Sequence, residues 1–307
     1  MANAIVEVTE GSGKKIDNES LSVGGNTAHR QRVQVSGASA LEIAAVINSL
    51  PSTEYGLVVR AVPTLYDLEL AKGNIPGHSA VFRHGRNPDI DIAAAEDIWA
   101  FGGTRNYLTA AETVDVVSTS TDDDGSPAGI GLHTLFIEGL DANYDVISET
   151  LTMDGTTAVT SANSYLRQYL TMAKAVGSSG ENVGTLTTYP TTTGIGSPHT
   201  QIAAASGLSN LSHYTIPNAK TGYIRGVSVA VDAGTKGASL KFCSRAINEA
   251  WLVQAEFPVR SAGSSFLHVQ LPAPLEFAAK TDLRWTASVD ANDTSVVVLY
   301  TIELVDD

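Results

Sequence analysis

The 307-residue chain has one cysteine, Cys243. A lone thiol excludes an intramolecular disulfide framework and a cysteine zinc site. No histidine lies close to it in sequence, so it reads as a small buried hydrophobe rather than a reactive nucleophile. Long apolar runs are also missing: no segment approaches the roughly 18 residues a membrane helix needs. The N-terminal stretch MANAIVEVTEGSGKK lacks the charged start and apolar core of a secretory signal, so a soluble product made in a cytoplasm is expected. Charged residues are sparse at 17%, against 43% hydrophobic, which is too apolar for a disordered chain and too uncharged for a typical helical enzyme. Threonine, serine, alanine, valine and glycine dominate instead, a mixture that favours strands and turns.

Basic residues are the scarcer charge, 19 against 33 acidic, and the net charge of −14 is unevenly spread. Residues 111–190 hold 2 Lys/Arg against 11 Asp/Glu, so this third alone carries −9. A surface of that sign repels phosphate backbones, and neither a nucleic-acid nor a membrane partner is expected. It suits a face kept in solvent.

Along the chain, the first 20 or so residues are polar and read as an arm. QRVQVSG alternates as a half-buried strand does, ALEIAAVINSLP fits either a short helix ended by Pro51 or a bent strand, and YGLVVRAVP is a strand stopped by proline. GNIPGHSAVFRHGRNPDID is repeatedly broken by glycine and proline and is expected to be irregular. ETVDVVSTS, LHTLFIEGL and YDVISETLTMDG then read as strands, joined by TDDDGSPAG and DANY as turns. SANSYLRQYLTMAKAVGSSG supplies a further apolar run. TTYPTTTGIGSPHT (187–200), low in charge and rich in threonine, is the best linker candidate. Beyond it come six strand-like runs punctuated by Asp232-Ala-Gly and Asp290-Ala-Asn. The fold class expected is mainly β, with antiparallel β-sandwich or jelly-roll-like modules and little helix. Three regions are expected: an N-terminal arm and attachment region at 1–110, an acidic β-rich region at 111–188 and a C-terminal antiparallel sandwich at 189–307, the last two able to form one domain.

Signatures of chemistry are missing as well. In TSTDDDGSPAG, placing Gly125 at position six of a calcium loop puts Asp122 and Asp124 at three and five. Ser120 and Gly131 then occupy the outer ligand positions, which leaves Asp122 and Asp124 as metal candidates only if ligands come from elsewhere. The simpler reading is a solvated hairpin turn, and nothing adjacent promises burial of Asp122, Asp123 or Asp124. The seven histidines include no pair at the i, i+4 spacing of a helical zinc motif. The segment GIG at 129–131 lacks the rest of a dinucleotide fingerprint, and there is no phosphate loop or nucleophile elbow. No cofactor and no enzymatic activity are expected. Two basic islands, HRQR (29–32) and RHGR (83–86), make Arg30, Arg32, Arg83 and Arg86 candidates for contact with an acidic partner surface.

VGGNTAHRQRVQVSG, GNIPGHSAVFRHGRNPDID, EDIWAFGG, TIPNAKTGYI and KTDLRWTASV, and above all the central GLDANYDVISETLTMDGTTAV, resemble virion structural proteins of tailed bacteriophages over nearly the whole chain. The resemblance implies a β-rich module that assembles as a symmetric homo-oligomer, a trimer in the first reading, on a capsid or tail. It implies a virion location after assembly in the bacterial host cytoplasm, with the major capsid protein or other virion proteins as partners. A capsid decoration or cement protein is the first expectation. A tail, baseplate or fibre component, including receptor binding, is the second, and a virion-borne glycan hydrolase the most distant.

Overall fold

The structure, a computed structural model, describes the backbone of two strands within 17–32 and residues 66–307 apart from 193, 232–235, 248 and 261–265. The chain divides into two compact units, residues 1–64 and residues 65–307. In the first, β1 (Asp17–Val23) and β2 (Asn26–Arg32) form an antiparallel hairpin whose register sets Glu19 opposite Arg30 and Asp17 opposite Arg32. ALEIAAVINSLP, YGLVVRAVP and most of QRVQVSG lie outside the described residues, as does the turn at 232–234.

The second unit is mainly β, with a single short helix, α1 (Tyr66–Ala71), among the described residues. Its larger sandwich packs two antiparallel sheets. One runs β16 (Phe266–Phe277), β13 (Lys220–Val231), β18 (Thr294–Asp306), β3 (His78–Ile90). The other runs β12 (Tyr214–Thr215), β17 (Asp282–Val289), β14 (Gly237–Arg245), β15 (Leu252–Arg260), with β4 (Glu96–Asp97) also on β17. Two-residue periodicity selects the core. Val296, Val298, Tyr300, Ile302 and Leu304 point inward from β18, and Leu283, Trp285 and Ala287 from β17. Trp285 stacks on Phe242 with ring centroids 4.8 Å apart and packs against Tyr300 at 5.8 Å.

The acidic region builds a second, smaller sandwich from β5 (Glu112–Ser118), β6 (Leu132–Leu140), β7 (Val146–Thr152), β8 (Val159–Tyr165), β9 (Arg167–Val176), β10 (Leu186–Pro190) and β11 (Thr200–Ile202). Its sheets, ordered β11-β10-β5-β8 and β7-β6-β9, share a core that includes Val114, Val116, Leu135, Ile137 and Leu186.

Two expectations are corrected. Residues 78–90 are not irregular: β3 pairs along its length with β18, so the larger sandwich takes strands from both ends of the chain, including part of the 1–110 region. Gly85 is needed there because a Cβ would meet Ser212 Cβ at 2.4 Å and Ile98 O at 2.7 Å, where another segment crosses the strand. Nor is 187–200 an open linker. β10 and β11 pair, the chain turns back between them, and His199 N donates to Thr188 O at 2.7 Å. Three threonines of this stretch, Thr187, Thr188 and Thr200, are buried, with Thr188 Oγ1 2.8 Å from Thr200 Oγ1 and donating to Gln168 Oε1 at 2.7 Å.

Candidate functional site

The densest grouping of chemistry-bearing side chains lies on the outer face of the β17 sheet, where the smaller sandwich and the 98–111 loop cover it. Alternation along β17 sends Leu283 and Trp285 into the core and leaves Asp282 and Arg284 on the opposite face. The register then sets Arg245 of β14 beside Asp282 and Cys243 beside Arg284.

Asp282 is the hub. Arg167, at the start of β9, donates Nε to Oδ1 at 2.8 Å and Nη2 to Oδ2 at 3.0 Å, a bidentate fork across 115 positions of sequence. Arg245 adds Nε and Nη2 to Oδ2 at 3.1 and 3.0 Å, and Thr215 Oγ1 donates to Oδ1 at 2.7 Å. Burial alone would push the Asp282 carboxyl up, but these donors outweigh it and hold the pKa below the usual carboxylate value. Arg167 Nη1 also donates to the Leu108 and Leu166 carbonyls, so one guanidinium joins both sandwiches and the covering loop.

A second carboxylate, Asp97 at the end of β4, is equally buried. Its Oδ2 accepts the Arg105 amide at 2.7 Å and lies 3.4 Å from His213 Nε2, and Arg284 Nη1 is 3.9 Å from Oδ1. Burial raises its pKa, yet His213, the Arg105 amide and Arg284 together bring it below the ordinary value. Arg105 donates to His199 O at 3.0 Å and Gln168 O at 2.6 Å. Tyr107 sits among Arg105, Arg167 and Arg245 at 5.4, 5.0 and 4.5 Å from its ring, and the Trp251 ring lies 4.5 Å from Arg245 and 4.2 Å from Arg284.

The acidic turn is not uniformly wet. Asp122 is exposed, and Asp124 Oδ1 accepts the Ser126 amide at 2.7 Å, a local turn bond. Asp123 between them is fully buried. It accepts Ser118 Oγ at 2.6 Å and the amides of Leu132, Val183 and Gly184 at 2.7, 2.9 and 2.8 Å, which fastens the loop 119–131 to the loop before β10. Gly131 permits that approach, since a Cβ there would fall 2.2 Å from Asp123 Oδ1. The expectation of a solvated cluster therefore fails for Asp123, because its donors come from as far as 61 positions away. Among the described residues, three carboxylates converge only at Asp89, Asp91 and Asp293, all exposed, and not around Asp122 and Asp124.

The basic islands separate too. Arg83 and Arg86 are three apart on a strand and point to opposite faces. Arg83 is buried, donates Nη2 to the Tyr169 carbonyl and lies 5.6 and 5.7 Å from the rings of Tyr169 and Tyr214, so it is a core tie and not a surface contact. Arg86 is exposed and donates to Ser295 Oγ at 3.3 Å. Arg30 and Arg32 are on β2 of the first unit. Cys243 is buried, as its isolation in sequence indicated, and burial raises its thiol pKa.

Sequence reasoning missed Arg105, Arg167, Arg245, Asp97 and Asp282. Arg105, Arg167 and Arg245 each stand alone in sequence, Asp97 only follows Glu96 and Asp282 lies between Lys280 and Arg284, so the local signal is a charge at an apolar strand end, as in LRQYL and TDLRW.

No protein-family model and no curated protein matches the chain. Among solved structures it is compared with the infectious bursal disease virus VP2 subviral particle at 10% identity and a TM-score of 0.18, over 79% of this chain and 77% of that one. Two strains of the same virus follow: Gt at 9% identity and a TM-score of 0.13 over 79% and 87% of the two chains, and Gx at 9% and 0.10 over 75% and 82%. Scores of this size do not establish a shared fold.

Proposed function

We propose that this chain is a non-enzymatic virion structural protein, a capsid decoration or cement protein that attaches through its N-terminal region and works as a homo-oligomer. The observation that carries the reading is how the buried carboxylates are used. Asp282 accepts five hydrogen bonds, all from segments distant in sequence, and Asp123 four, two of them from 60 and 61 positions away, so both serve as tie points. Acid–base chemistry needs a carboxylate left with a proton to give or take, and these two are saturated with donors. A mechanical role uses such ties directly, since breaking a buried, fully hydrogen-bonded carboxylate on one side is strongly destabilising. The resemblance of its sequence phrases to tailed-phage virion proteins is consistent with the same reading. Leu252 and Val253, 57% and 54% exposed at the start of β15, offer an apolar contact for neighbouring copies.

A second reading, a tail or fibre component that binds a host receptor, rests on a hollow of about 620 Å³ on the outer face of the β16-β13-β18-β3 sheet. Phe82, Tyr223, His268 and Arg225 line it, and Glu303 at its floor accepts Arg225 Nη2 at 2.6 Å and is joined by His78 Nδ1 at 2.8 Å. Aromatic faces beside charged and amide groups are the elements of a small-ligand pocket. Quantitative labelling of purified particles separates the two: hundreds of copies over the head are expected, whereas about a dozen at the tail would overturn the decoration reading in favour of the receptor reading.

A further inference from the structure

The ionic junction carries more positive charge than its own carboxylates balance. Arg105, Arg167, Arg245 and Arg284 converge on Tyr107 and Trp251, and the carboxylates that meet them are Asp97 and Asp282. The two histidines of the cluster do not alter the balance in the other direction, because both are buried and held below their ordinary pKa, hence neutral at neutral pH. An excess of two positive charges in a largely water-excluded place is costly unless an anion meets it.

The arginines are not equally engaged. Arg167, Arg105 and Arg245 direct donors to Asp282 and to carbonyls, whereas Arg284 leaves its buried Nε without a partner among the described residues, approaches Asp97 at 3.9 Å and lies beside Cys243. The buried Tyr107 hydroxyl likewise has no hydrogen-bond partner among the described residues. Orphaned donors that gather at one place in a folded protein call for a missing acceptor. The arrangement also has a mouth. The side chains of Arg245 and Arg284 are 21% and 20% exposed next to half-buried Trp251, while the rest of the cluster is more deeply buried.

From these observations we infer that the Arg245–Trp251–Arg284 mouth is a binding site for a small doubly charged oxyanion of the phosphate or sulfate class. Guanidinium N–H groups beside an indole ring present directional donors, which suits tetrahedral oxygens better than a spherical halide. The charge of a dianion equals the excess. The inference does not depend on the virion reading.

The test uses the full-length protein at pH 7.5, titrated with sodium phosphate up to about 10 mM, below the range where salts stabilise proteins generally. Sodium chloride at matched ionic strength and sodium acetate are run in parallel. Phosphate at a hundredfold excess over its dissociation constant is expected to raise the melting temperature by about 5 °C. Chloride should give no comparable rise, Arg284→Gln should abolish the phosphate response, and Arg86→Gln, on the other sheet, should retain it. A direct measurement covers the case in which R284Q does not fold. Trp99 and Trp285 are 2% and 1% exposed, so a saturable change in tryptophan fluorescence with phosphate reports Trp251 in the unmodified protein. Equal responses to phosphate and chloride, no saturation, or an undiminished response in folded R284Q would overturn the site. Equal responses to acetate and phosphate would overturn its assignment to a dianion.

Discussion

Asp282 receives two arginines and a threonine in a space almost closed to water, so loss of its charge leaves Arg167 and Arg245 facing each other without an acceptor. Asp282→Asn is expected to lower the unfolding free energy by about 3–5 kcal/mol, read from the urea midpoint, because a buried pair broken on one side strands the other charge. Asp122→Asn, at an exposed carboxylate, should stay within about 0.5 kcal/mol of the parent, and a comparable loss there would contradict the division made within the acidic turn. The three adjacent aspartates show how far residue-level reading goes. Composition places DDDG in a turn, which is correct, and Asp124 behaves as such a turn residue does. That Asp123 is buried depends on amides at 183 and 184 that local sequence does not contain. Arg83 is different, since its inward direction follows from strand alternation once β3 is recognised as a strand.

Apart from Pro190, which closes β10, the prolines of the described strands lie where the sheets end. Pro88 is in β3, Pro258 in β15, and Pro272 and Pro274 in β16, all three of them terminal strands of their sheets. Proline cannot donate to a further strand, so these positions hinder edge-to-edge pairing. In β16 the register advances from Gln270 to Leu275 while β13 advances only from Gly226 to Ile224, so Pro272 and Pro274 form a bulge off the ladder. A protein carrying Pro272→Val together with Pro274→Thr should present a flatter, pairable edge and associate non-specifically, seen as a concentration-dependent rise in light scattering. An unchanged scattering profile would mean that the bulge does not guard this edge. The same residues explain the misreading of 73–91, where glycine and proline suggested irregular chain. β18 supplies a long partner that holds β3 extended across Gly85 and Pro88, an effect of tertiary context that overrides local propensity.

Acid stability is a property of the whole molecule. Burial, with Arg105 and Arg167 adding repulsion, holds His199 well below its ordinary pKa, and burial lowers His213 against the pull of Asp97. As pH falls through about 6.5 the unfolded chain binds protons that the folded chain refuses, so stability is full above that pH and declines below it, by up to about 1.4 kcal/mol per unit and histidine. Asp97 and Asp282, whose folded carboxyls titrate below the usual value, contribute stability that is present above pH of about 4 and lost as pH falls further. Relief of the net charge of −14 acts in the opposite direction, but salt screens that surface term. Urea midpoints measured in about 0.15 M salt should therefore fall from pH 7.5 to 5 and again below 4; a midpoint that is flat or rising down to pH 5 would show that the buried histidines do not govern it. At this scale the sequence alone determined the β class, the positions of most strands from 112 onward and the acidic character of the middle third, because alternation and turn chemistry are local and charge is additive. Only the tertiary structure decided that residues 78–90 join the C-terminal sandwich, that 187–200 is a hairpin, and that four arginines scattered from 105 to 284 meet two aspartates. A charged side chain becomes a buried tie only when distant strands exclude water around it and bring it an opposite charge.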